Sequence, residues 1–289
     1  MKKDDFFTEF NRMLQKQNFK SESEVQDFIK NYNTNIDSNT LPQYELTIEE
    51  QAQDMVFAAS ELPPKKAQEK IKEALLLNPD CIEAHEFLGL KEKDIRKAVF
   101  HFEDGINIGR RIFFGEKYNK YKGHFWGIHE TRPFMRCLQH YAGCLFGLLK
   151  TNECVAIYEE MLALNPNDNQ GVRDLFFVRI LELNDFEKYK KYEKIYNTDV
   201  TAFAFYNSAL AAFLTLGDTK TAQNKLAKAI KANVFVPKKL LSSKAITNVP
   251  SMYGFGDENE ATYYAYFAKG LWQKNKAALN WLRLSTNTV

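Results

Sequence analysis

No run in this chain approaches the roughly 18 consecutive apolar residues of a membrane span. The N-terminus Met1-Lys2-Lys3-Asp4-Asp5 leads into an amphipathic pattern and not into the apolar core of a signal peptide, so a cytoplasmic protein without membrane contact is expected. Net charge is also nearly missing. The 39 lysines and arginines against 37 acids leave only +2, so any electrostatic function must come from local patches. Cysteine is sparse at four, and Cys81, Cys137, Cys144 and Cys154 all sit among apolar neighbours in helical patterns, which suits small reduced core thiols better than a disulfide framework. There is no glycine-rich phosphate loop and no serine-centred nucleophile elbow. Gly105-Ile106-Asn107-Ile108-Gly109 does not follow a strand, so it is no dinucleotide fingerprint. Paired acids such as Glu159-Glu160 point apart on a helix. No enzyme, cofactor or small-molecule substrate is expected.

What the chain has in quantity is helical periodicity. With 45% hydrophobic and 26% charged residues it is ordinary for a globular protein, and residues 123–173 show its organisation. Thr131 is placed to accept a hydrogen bond from the first helical turn, and Pro133 is tolerated there because its missing N–H had no helical partner. Phe134, Leu138, Tyr141, Leu145 and Leu148 then recur at three- and four-residue steps. After Lys150-Thr151-Asn152 a second helix carries Cys154, Tyr158, Met161 and Leu162 inward, and Pro166 ends it.

Two short helices closing on Leu-x-Leu-Asn-Pro match a repeat of about 34 residues. Two periods from Asn165 reach Asn233, across helix pairs expected at 170–196 and 201–232, with Gly217-Asp218 at a turn and Ala222 and Ala229 where helices approach closely. Leu76-Leu77-Asn78-Pro79 repeats the ending, with Ala67 and Ala74 at the same small positions. Asn78 and Asn165 lie 87 residues apart instead of 68, so one unit holds about 19 extra residues, and these fall at about 105–130. Trp126 is the expected apolar anchor of that insertion.

The remaining boundaries follow. Residues 1–45 form a helical cap and linker, with Phe6, Phe7, Phe10, Met13 and Leu14 on one face, a capping box at Ser21–Glu24, and an exposed connection at Asn31–Gln43. A second capping box at Thr47–Glu50 opens repeats spanning 46–234, and Pro63-Pro64 marks a turn. Residues 235–289 hold an irregular segment and a closing helix pair capped at Asp257, with Tyr263, Tyr264, Phe267, Leu271, Trp272, Leu279, Trp281 and Leu282.

The segments "FWGIHETRPFMR", "LNPNDNQGVRDL" and "YGFGDENEATYYA", followed by Trp272 and "ALNWL", carry a resemblance over roughly residues 80–283. They are similar to a group of bacterial tetratricopeptide-repeat proteins sharing a Trp-x-x-x-Glu-Thr-Arg-Pro-aromatic-Met-Arg block, some of which are similar to the suppression-of-tumorigenicity protein family. The resemblance implies an all-α fold, a right-handed α-solenoid of tetratricopeptide-like helix hairpins with an N-terminal helical cap and a C-terminal closing pair. It brings no catalytic residues.

In such a solenoid the first helix of each unit lines a groove. Aligning Met135, Asn169 and Phe203 places Arg136, Gln170 and Ala204 in one row, Gln139, Arg173 and Asn207 in the next, and Gly143, Phe177 and Ala211 in a third. Arg136, Gln139, Gln170, Arg173, Phe177 and Asn207 therefore suit an acidic or carboxylate-bearing segment of another protein, because arginine grips a carboxylate through two hydrogen bonds while amides hold backbone groups. The bland alternative is that Arg132, Arg136 and Arg173 pair with Glu130, Asp168 and Asp174. Cys137, His140 and Cys144, with His124 and His129, outline a zinc site or enzyme centre as the runner-up, although their spacing is also an ordinary inward stripe and lacks Cys-x-x-Cys. The lysines and aromatics of Lys117–His124 suggest a wet loop over packed rings, so nucleic acid is not an expected partner.

Overall fold

The computed structural model describes residues 10, 12–14, 16, 17, 19–35 and 45–286. Among these, no strand occurs. The helices are α1 (Glu22–Asn35), α2 (Ile48–Ser60), α3 (Pro64–Leu77), α4 (Ile82–Lys91), α5 (Ile95–Phe113), α6 (Glu116–Tyr121), α7 (Arg132–Gly147), α8 (Thr151–Leu164), α9 (Val172–Glu182), α10 (Phe186–Ile195), α11 (Ala202–Leu216), α12 (Lys220–Ala232), α13 (Val236–Leu241), α14 (Glu258–Lys274) and α15 (Lys276–Thr286). A 3-10 turn, His129–Thr131, precedes α7. The chain divides into two compact units, Met1–Phe87 and Leu88–Val289.

In the first unit α2 and α3 form a hairpin whose contact is made of Ala52, Val56 and Ala59 against Ala67, Ile71 and Ala74, all buried. Small side chains at these steps let the helix axes approach. Thr47 and Glu50 form the reciprocal capping box that the sequence predicts. Arg12 reaches α2 through Gln53 and Asp54, each at 2.7 Å. The expected connection at 31–43 is corrected in its first part. Helix α1 continues to Asn35, because Tyr32 is buried against Phe10 at 4.7 Å and Thr34 donates to the Lys30 carbonyl instead of breaking the helix. Phe6, Phe7 and residues 36–43 lie outside the described residues.

The second unit is an all-α stack of hairpins: α7 with α8, α9 with α10, α11 with α12. The helices α3, α8 and α12 end alike. Asn78, Asn165 and Asn233 each leave the helical backbone at a similar φ (−135°, −143° and −150°), and each N–H still bonds to the carbonyl four residues back. A helix that must stop and turn sharply needs this at its last residue, which is why the asparagines mark the repeat.

The extra residues form α6, the turns around it and an extended α5. Gly109 of α5 passes so close to the Phe134 ring of α7 that a Cβ would overlap it. Phe125, fully buried, is surrounded by Phe113, Tyr121 and Phe134 at 6.1–6.3 Å. Two expectations change here. Phe125 anchors the insertion, while Trp126 is half-exposed beneath Arg132. Thr131, fully buried, does not cap α7 with its side chain. Its hydroxyl donates to the carbonyls of Phe125 and Ile128, tying the insertion to the helix start. The physical reason is burial: a hydroxyl sealed under the insertion satisfies the loop's carbonyls, which no water reaches.

At the C-terminal end Glu260 is 1% exposed. Its carboxylate accepts from Ala202 N (2.8 Å), Asn233 Nδ2 (2.9 Å) and Gly256 N (2.7 Å). Trp272 Nε1 donates to the Tyr264 hydroxyl, which donates to Asn207 Oδ1 at 3.0 Å, and Trp281 stacks on Phe213 at 4.6 Å. The closing pair is therefore bonded to α11 through its buried polar atoms as well as its rings.

Two stability outcomes follow. Phe125→Ala should cost about 3–5 kcal/mol in urea unfolding and Trp126→Ala about 1–2 kcal/mol; a larger loss at Trp126 would return the anchor to the indole. Glu260→Ala should cost about 3–5 kcal/mol, because three donors lose one acceptor, and Glu260→Gln more than about 1 kcal/mol, because an amide N–H then faces a donor. A neutral Glu260→Gln would show that the carboxylate is not needed.

Candidate functional site

Helices α7 and α9, with the turn before α9, carry five of the six predicted row residues. Arg136 and Gln139 are half-buried on α7. Gln170 lies in the turn before α9, not in its first helical turn, because Gly171 at φ 72° delays the helix to Val172. From there the Gln170 amide donates back to Gln139 Oε1 at 3.1 Å and to the Met135 carbonyl at 3.4 Å. Gln170 Oε1 is buried without a hydrogen-bond partner. The contact joins Gln139 and Gln170 across consecutive units, while the strip expected of Arg136, Gln139, Arg173 and Asn207 is interrupted, because Asn207 is fully buried under Tyr264.

Arg173 does something else. Its Nε and Nη2 grip Asp199 at 2.7 and 3.2 Å, Nη1 lies 3.6 Å from Asp168, and the guanidinium covers the Tyr196 ring. Asp168 in turn accepts from Val172 N and Arg173 N, both at 2.9 Å, and so caps α9. The arginine is a strut joining the two ends of its own hairpin. The partner anticipated for it included Asp168 but missed Asp199, which stands 34 residues after Asn165 and so occupies the same place in the repeat. That spacing was the available signal.

The other two row residues are corrected. Phe177 is 7% exposed and packs edge-on to Tyr189 at 5.1 Å, and Asn207 is fully buried under Tyr264 of α14. The closing helix packs along α9 and α11, and so covers the positions that phase alone leaves open.

Asp174, near Arg173, completes a group of one cation and three carboxyls. Its carboxyl is pushed up to about 8, first by burial and then by Asp199, with Asp168 and Glu260 adding and Arg173 opposing. Burial also raises Asp168, against the pull of the Arg173 and Val172 N–H groups. Tyr253 and Tyr263, 5.0 Å apart, border the same group. This end of the row repels a further carboxylate.

The zinc outline is not assembled. Among the described residues, Cys137, His140, Cys144, His124 and His129 supply no set of three ligand atoms within 4.8 Å of one another. His140 stacks on Phe102 and Cys137 is fully buried. Burial pushes the Cys81 thiol up to about 12 and Cys154 up to about 11, and raises Cys144, which leaves these thiols protonated and inert.

No protein-family model and no curated protein matches the chain. Among solved structures, that of YrrB, a TPR protein with an unusual peptide-binding site, is similar at TM-score 0.45 and 17% identity, over 71% of this chain and 91% of that one. At that distance it transfers no residue role.

The Asp174 shift has a definite sign. Its folded value lies above the ordinary 3.8, so stability from this group is complete below about 3.8 and is lost as pH rises towards about 8. Asp174→Asn should melt like the parent at pH 4 and increasingly above it from pH 6 to 9. A melting difference that does not change with pH would show that Asp174 titrates normally.

Proposed function

We propose that this chain is a protein or peptide interaction module, and that an extended segment of a partner crosses α7 and the start of α9. The observation that carries this reading is the amide pair: Gln139 and Gln170 bridge consecutive units, and Gln170 Oε1 is left as a buried acceptor without a partner. A backbone N–H of a bound segment satisfies such an acceptor, and a side-chain amide beside it accepts or donates to the next peptide group. Arg136, one helical turn before Gln139, supplies the charge that favours a carboxylate on that segment. The ligand is confined to this end of the row, since Arg173 is neutralised by Asp199 and Asp168, and the surplus acid beyond it excludes an anion.

The test is to pan a library of random dodecapeptides on the full chain and measure the selected peptides by calorimetry. The expected outcome is an enriched Asp, Glu or C-terminal carboxylate, with affinity falling about 10- to 100-fold in Arg136→Ala and about 5- to 10-fold in Gln170→Ala while the melting temperature stays within a few degrees. Enrichment of basic peptides, or equal binding by both variants, would overturn the reading.

A further inference from the structure

The chain as a whole is nearly neutral, but residues 219–256 are not. This stretch of α12, α13 and the loop after them holds seven lysines (Lys220, Lys225, Lys228, Lys231, Lys238, Lys239, Lys244) and no acid. Two are paired from outside it, Lys225 with Glu193 at 3.2 Å and Lys239 with Glu258 at 2.7 Å. Among the described residues no carboxylate lies within ion-pair distance of Lys220, Lys228, Lys231 or Lys238. On α12 the steps of eight and eleven residues put Lys220, Lys228 and Lys231 on one side, opposite the buried Ala222, Leu226 and Ala229.

Large apolar side chains stand in water at the end of that lysine face. Val234 is 60% exposed and Phe235 39%, directly after α12, while Met252 is 80% and Phe255 70% exposed on the loop before α14. The two loops are lashed together: Asn233 Nδ2 and Gly256 N share Glu260 Oε2, Asn233 Nδ2 also donates to the Asp257 carbonyl at 2.9 Å, and Gly256 approaches the Ala232 carbonyl so closely that a Cβ would stand 3.0 Å from it. The apolar residues thus project from a rigid base. The nearby acids are occupied, since Asp257 accepts from Gly254 N and Glu260 N, both at 2.7 Å, and Glu258 meets Lys239.

We infer that this face, Lys228, Lys231 and Lys238 around Val234 and Phe255, is a docking surface for an anionic lipid bilayer. Charge complementarity selects the occupant. A partner protein brings mixed charge and shape, which a lysine-rich surface with protruding apolar side chains, its bordering acids Asp257 and Glu258 already engaged, does not mirror, whereas a sheet of negative headgroups above hydrocarbon accepts both lysines and apolar tips. The expectation of no membrane contact rested on the lack of a spanning run. No helix among the described residues is long and apolar enough to cross a membrane, and a peripheral contact does not require one. The surface is separate from the Gln139–Gln170 strip, so either can fail alone.

The experiment is vesicle co-sedimentation of the full chain, with neutral phosphatidylcholine vesicles against the same lipid holding about 30% phosphatidylserine. Binding is expected to the anionic vesicles only, to fall steeply as salt rises to about 0.5 M, to drop at least tenfold in Lys228→Glu/Lys231→Glu/Lys238→Glu, and to weaken severalfold in Val234→Ser/Phe255→Ser. Circular dichroism checks that both variants stay folded, and Phe255→Trp should shift its emission to the blue on anionic vesicles. No sedimentation with anionic vesicles, equal sedimentation with neutral ones, or retention by single-stranded RNA in place of vesicles would each overturn the inference.

Discussion

A carboxylate buried without a cation holds the C-terminal half of the molecule in register. Glu260 sits at the start of α14, yet its three donors come from the N-terminus of α11, the last residue of the α12 hairpin and the loop before its own helix. Such a charge is costly to desolvate, and it is tolerated because two backbone N–H groups and an amide converge on it, one of them at a helix N-terminus where partial positive charge collects. The arrangement has one consequence for topology and one for function. It fixes α14 against α9 and α11, and it rigidifies the loops that present Val234 and Phe255.

Much of the fold was legible because the repeat writes its ends in distinctive residues. Asn78, Asn165 and Asn233 share a helix-ending φ near −140°, and Ala67, Ala74, Ala222 and Ala229 lie where the hairpins close. Local signals of this kind depend on a few neighbours in sequence. The misreadings arose where the decisive neighbour was remote. Thr131 looks like a cap until the insertion covers it, and Trp126 looks like the larger anchor until five other rings gather around Phe125.

The same distinction explains the polar row. Periodicity placed Arg136, Gln139 and Gln170 on adjoining units, and the bond between the two glutamines is direct contact of that kind. It gave no means of weighing Arg173, whose fate is set by charges 5 and 26 residues away. With Asp168 and Asp199 both engaged, the guanidinium offers a ligand little net charge, and with Asp174 held largely protonated near neutral pH the group avoids a third close negative charge. A row of like side chains read from phase is therefore a row of positions, and each side chain's task depends on what the next layer brings.

That next layer also limits how the row can work. For a peptide to reach Asn207 or Phe177, α14 would have to leave, exposing Tyr264 and Trp272, both fully buried, and breaking the Trp272–Tyr264–Asn207 chain. Aromatic side chains of this size bury about 150–250 Å² each, so at about 25 cal/mol per Å² the two rings alone hold the helix down by roughly 7–12 kcal/mol. An ordinary peptide contact in the micromolar range releases only about 8 kcal/mol in total. Displacement would consume nearly all of it, before the three donors of Glu260 are counted. The proposed ligand contact is thus confined to α7 and the turn before α9, where Arg136, Gln139 and Gln170 are half-buried and no helix has to leave.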